Sequence, residues 1–143
     1  MKKITLLFSL LCLFTLIAGA QSIHVDSRLD AVYSEDYIDN LVENNPQKVK
    51  YLNWCLDNSY TIVYAGVDKC EQMSYLKHFD PVNKIVGENV ENIDETNFNI
   101  FMYQFERQFD KKTYYRIGNT GKAIIFESNS KLTKNFNNYS NEN

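Results

Sequence analysis

The feature that most constrains this chain lies at its amino terminus. Met1-Lys2-Lys3 is a short positive region, Ile4 to Ile17 is an almost unbroken apolar run, and Ala18-Gly19-Ala20 offers small residues at the −3 and −1 positions of a cleavage site. A run of 14 residues rising about 1.5 Å each reaches only ~21 Å, short of the ~30 Å hydrocarbon core that a membrane anchor must cross. The pattern therefore reads as a secretory signal peptide over residues 1–20. Cys12 sits inside the apolar run behind Leu10-Leu11, not at a lipoprotein processing site. What folds is then residues 21–143, expected to form a single domain outside the cytoplasm, in the periplasm or at the periphery of an outer membrane, with no transmembrane segment left after cleavage.

Those residues carry 13 basic and 18 acidic side chains, a net charge of −5. An exported body of that charge is a poor partner for nucleic acid. The charge is unevenly spread, −9 over residues 21–110 and +4 over 111–143. Hydrophobic residues make up 44% of the chain and aromatics 14%, enough to build one core of this size. The 17 Asn beside 10 Tyr and 9 Phe are also what an AT-rich coding sequence yields without selection for any activity.

Local signals place helices first and strands later. Ser34 is a good N-cap, Glu35 and Asp36 complement the helix dipole, and Tyr37, Ile38, Leu41 and Val42 recur at helical spacing, which predicts a helix from Ser34 to about Glu43. Asn45 then caps a second helix with Pro46 in its first turn, Val49, Leu52 and Leu56 as its inner stripe, and Asp57-Asn58-Ser59 at its end. Tyr60 to Ala65 reads as a strand. Ser74 to Phe79 is expected as one helical turn, Asp80-Pro81 as a turn, and Lys84 to Val86 as a short strand.

Residues 97–109 fit both periods, Phe98, Phe101, Met102, Phe105 and Phe109 at helical spacing and Phe101, Tyr103 and Phe105 in alternation, and the two strands that follow favour a strand here as the first of a meander. Thr113–Gly118 and Lys122–Glu127 flank Asn119-Thr120-Gly121 as a hairpin. A helix through Leu132 and Phe136 should follow from Ser128 to Tyr139, and Ser140–Asn143 should fray. The expected fold class is α+β: two N-terminal helices, then a mainly antiparallel sheet with a C-terminal meander and a short terminal helix.

Chemistry-bearing residues are few. Cys55 and Cys70 survive cleavage, and an oxidising compartment makes a disulfide between them as plausible as two buried thiols. His24 and His78 show no metal-ligand spacing, and a nucleophilic pair of Cys70, or Cys55, with His78 needs an adjacency that the sequence does not show. Ser128-Asn-Ser-Lys131 matches the Ser-x-x-Lys element of penicillin-binding enzymes without its companion elements, and Gly118-Asn-Thr-Gly-Lys122 has the wrong spacing for a phosphate loop. Glu88, Glu91, Asp94 and Glu95 concentrate oxygen ligands but match no calcium loop. No pattern points to a cofactor.

Lys111, Lys112, Tyr114, Arg116 and Lys122 could present a basic, aromatic face to an acidic partner, or their charges could be neutralised within the molecule. Strand alternation puts Tyr114 and Arg116 on one side and Tyr115 and Ile117 on the other. Phe101, Tyr103 and Phe105 are alternatively the wall of an apolar cavity in a carrier.

The segment Tyr51-Leu-Asn-Trp-Cys-Leu-Asp-Asn-Ser-Tyr-Thr-Ile-Val63, with the helix before it, resembles small exported envelope proteins of diderm bacteria associated with type IX secretion and gliding. The resemblance covers about a third of the chain and implies an envelope setting, with no site residues to carry over. The expected function is that of a small non-enzymatic binding protein whose partner is an envelope protein.

Overall fold

A computed structural model describes residues 23–142. The expected leader, residues 1–20, lies outside the described residues, as does Asn143.

The described chain starts pinned to a helix. The Asn53 side chain accepts from the Asp26 N–H at 3.0 Å and donates to the His24 carbonyl at 2.6 Å. Arg28 bridges Asp26 at 2.8 Å and Asp57 at 2.9 Å, and these bonds hold the Asp26 carboxyl below its usual range.

Two helices follow as predicted, α1 (Glu35–Asn44) and α2 (Pro46–Asn58). Ser34 occupies the N-cap of α1, but its hydroxyl makes no capping bond. Asn45 caps α2 through its side chain, which accepts from Lys48 N–H at 3.2 Å. Val49, Leu52 and Leu56 are buried, and at roughly 1.5–3 kcal/mol for each such side chain this stripe, not intrinsic propensity, secures the helix.

Beyond them lie β1 (Tyr60–Tyr64), the single turn α3 (Val67–Cys70), β2 (Ser74–Tyr75), β3 (Lys77–Asp80), β4 (Ile85–Asn89), β5 (Tyr103–Gln104), β6 (Thr113–Ile117), β7 (Lys122–Phe126) and α4 (Asn129–Glu142). The protein is α+β with mainly antiparallel sheets. One sheet has the order β1-β7-β6-β2, with only β2 parallel to its neighbour; the other has the order β4-β3-β5.

Register sets the faces. Tyr60 opposes Phe126, and Ile62 and Tyr115 oppose Ile124. These side chains, with Ile117, pack on Leu29, Ile38, Leu41, Val49, Leu52 and Leu56. Leu76 and Val90 join the two sheets: Leu76 N–H donates to Arg116, Val90 N–H to Leu76, and Gly118 N–H to Val90. A second, smaller cluster of Trp54, Cys55 and Leu132 seats α4, with Phe136 meeting Tyr51 edge-on at 5.0 Å.

Two expectations fail. Residues 97–109 do not form the first strand of a meander: turns at Glu95–Asn97 and Ile100–Met102 leave a two-residue strand, β5, which pairs with β3. The Asn99 side chain is the cause, accepting from Phe101 N–H at 3.1 Å while donating to the Arg28 carbonyl at 2.6 Å. The third strand beside the 113–126 hairpin is instead β1. Ser74–Phe79 is two strands and not a helical turn, because Ser74 and Tyr75 pair with Tyr115 and Arg116, and Lys77 and His78 pair with β5. α4 runs on through Ser140 to Glu142, three residues past its predicted end at Tyr139.

Candidate functional site

The basic face forms only in part. Tyr114 and Arg116 do share the side of β6 opposite Tyr115 and Ile117, and Tyr115 packs on the core. The Arg116 guanidinium lies 3.6 Å from the centre of the Tyr75 ring, with its Nε buried and unpartnered. Lys112 pairs with Glu127 at 2.7 Å, Lys131 reaches the same oxygen at 3.3 Å, and Lys122 pairs with Glu95. Burial works to raise the Glu127 carboxyl, but Lys112 and Lys131 outweigh it and hold it below its usual range. Lys111 is exposed and in no ion pair among the described residues. Beside Lys111, what remains open is Tyr114, half exposed at a polar groove of about 670 Å³ that Lys69, Gln72, Gln108 and Lys112 help to line.

The cysteines do not form the disulfide that their spacing allows. Both are buried and unbonded, Cys55 in the Trp54–Leu132 cluster and Cys70 outside it at the end of α3. Burial pushes the Cys55 thiol up, away from the reactive thiolate, and its neighbour Tyr51 is pushed up to about 12. The His78 ring lies 5.6 Å from Tyr103, and no hydrogen bond joins it to either cysteine among the described residues.

The remaining motifs serve the backbone. Ser128 accepts from Lys131 N–H at 3.4 Å at the start of α4, and 118–121 is the β6–β7 turn with Lys122 opening β7. Asp94 caps its own turn through Thr96 and Glu95 goes to Lys122, so no three metal-ligating side chains converge among the described residues. Tyr103 stacks on Phe98 at 4.7 Å and Phe105 on Phe126 at 3.9 Å. Both pack against the core, while Phe101 also lines a surface cavity.

Two features escaped the sequence reading. Arg107 lies 5.0 Å over the Phe105 ring with Nε and Nη2 buried and unpartnered, and its pKa is lowered by desolvation. The other is the β3–β4 hairpin. Asp80 folds its turn, accepting from the N–H groups of Val82 at 2.9 Å and Asn83 at 3.0 Å and from the Asn83 amide at 2.7 Å. Lys84 closes the turn at φ 56°, the sole left-handed non-glycine among the described residues, at a cost of about 1–2 kcal/mol.

The hairpin exposes Val82 by 75%, Ile85 by 60% and Val86 by 47%. Every residue of β4 is exposed, and only β3 pairs with it. Beside it opens a second cavity of about 670 Å³ lined by Val32, Tyr33, Tyr37, Phe79, Phe101 and Lys84. A signal was present: Val82 puts an apolar residue in a turn, where polar side chains are the rule.

No described helix is long and apolar enough to cross a membrane. No family model matches the chain, and neither a curated protein nor a solved structure is significantly similar to it.

Proposed function

We propose that this chain is an exported, non-enzymatic binding protein, an accessory of a cell-envelope or secretion assembly, which engages an envelope protein through the β3–β4 hairpin. The observation that carries this reading is the exposure of Val82, Ile85 and Val86 on one hairpin, since apolar side chains left in water on one projecting element favour being covered. Removing them from water on docking supplies the driving force, and the unpaired side of β4 offers backbone groups to a partner. The leader pattern and the envelope resemblance of Tyr51–Val63 supply the setting.

Site-specific photocrosslinking in intact cells tests it. A crosslinker at Val86 is expected to give one dominant adduct with an envelope protein, and a crosslinker at exposed Thr61 on β1 none. Adding Val82→Asp to the Val86 probe should cut the adduct at least about tenfold, a loss of ~1.4 kcal/mol, while exposed substitutions of this kind move stability by only about 0.5 kcal/mol. Matching, diffuse adducts at both positions would refute the assignment.

A further inference from the structure

The cavity beside the hairpin has the make-up of a small-ligand site, and this inference does not rest on the partner reading. Its volume of about 670 Å³ lies in the range of clefts that hold small molecules, which are mostly apolar with few polar groups fixing orientation. Tyr33 and Tyr37 stack at 5.1 Å, and Phe101 leans on Tyr33 at 6.3 Å. Three ring systems so placed, with Phe79 also in the lining, form an aromatic cleft suited to a flat ring.

Its charge is singular. Lys84 is the one ionisable cation in the lining, and it forms no ion pair among the described residues. Asp80 is nearby in the turn but has its carboxylate occupied by Val82 and Asn83. Lys84 also holds a left-handed backbone that glycine or asparagine would adopt with less strain. The position is therefore poorly chosen for stability and well chosen for placing an ammonium group at the cavity. Glu35 and Asp36 directly precede Tyr37 on the first turn of α1, which disfavours ligands of high negative charge.

We infer that this cavity binds an apolar monoanion, a carboxylate carried on an aromatic ring: the ring lies among Tyr33, Tyr37, Phe79 and Phe101, and the carboxylate meets the Lys84 ammonium. The test is a heteronuclear NMR titration of the leaderless full chain with 3-phenylpropionate and, as its uncharged counterpart, 3-phenylpropanol, each to about 10 mM, the reach of millimolar affinities. The acid is expected to give saturable shifts confined to residues 32–37, 79–84 and 101, and to bind about fivefold more tightly than the alcohol.

Lys84→Gly should abolish that preference and raise Tm by about 3–6 °C; Lys84→Asn should abolish it as well. Tyr37→Ala should weaken both ligands by about fivefold or more. Shifts that do not saturate or scatter over the surface, or a preference for the acid that survives in the folded Lys84→Gly and Lys84→Asn chains, would overturn the assignment.

Discussion

Phe126→Ala is expected to remove about 3–5 kcal/mol of stability, a large share of the roughly 5–15 kcal/mol that holds a domain together. Phe126 is fully buried, opposes both Tyr60 on β1 and Thr113 on β6, stacks on Phe105 at 3.9 Å and meets Tyr115 at 5.8 Å. Truncation opens a void at the end of the larger sheet where β1, β7 and β6 lie side by side, and it removes the ring over which the Arg107 guanidinium sits at 5.9 Å. Rings that are fixed in two strands and a loop cannot readily collapse into the space. Urea unfolding followed by circular dichroism measures the effect; a loss below about 1 kcal/mol, the scale of a surface change, contradicts this packing.

Gly118→Ala is expected to cost about 2–4 kcal/mol by a different route. Gly118 adopts φ 51°, and an added Cβ would lie 2.4 Å from the Glu91 carbonyl oxygen and 2.9 Å from its Cα. Both obstacles are backbone, so no side chain can swing aside. Moving the chain to relieve the clash lengthens the 2.7 Å bond from Gly118 N–H to Val90 O, the contact by which the end of β6 is tied to the smaller sheet. Gly66→Ala probes backbone strain alone, since its φ of 88° and ψ of 150° are readily adopted only by glycine and nothing lies within 4 Å of the added carbon, and should lose about 1–3 kcal/mol. A Gly118→Ala loss below about 1 kcal/mol would show that the approach of Gly118 to Glu91 is looser than described.

The elements that could be read from sequence are those whose causes lie within a few residues. Asn45 and Pro46 start α2 by a side-chain cap and a fixed φ, and Asn119-Thr120-Gly121 closes a hairpin between two β-rich runs; both act locally and both appear where expected. Residues 97–109 could not be read because Asn99 turns the chain by bonding a carbonyl 71 positions away. Ser74 and Tyr75 become a strand only because Arg116 and Tyr115 arrive beside them. Alternation correctly divided Tyr114 from Tyr115, but no local pattern shows that Glu127 and Glu95 neutralise Lys112 and Lys122.

The same limit applies to the sites. The spacing of Cys55 and Cys70 allows a disulfide, and it is the face of α2 on which Cys55 lies, against Trp54 and Leu132, that decides against one. The aromatic cavity draws on three separated stretches, 32–37, 79–84 and 101, so no window of sequence contains it. Its one local trace is a lysine where a turn favours glycine or asparagine.

The export of a partner-binding body is the premise on which the function rests, and the amino-terminal mass of the native protein tests it most directly. Chain recovered from the cell envelope is expected to begin at Gln21, freed of its leader between Ala20 and Gln21. Recovery from the cytoplasm with Met1 to Ala20 still attached would contradict the account, because the β3–β4 hairpin would then never meet an envelope partner.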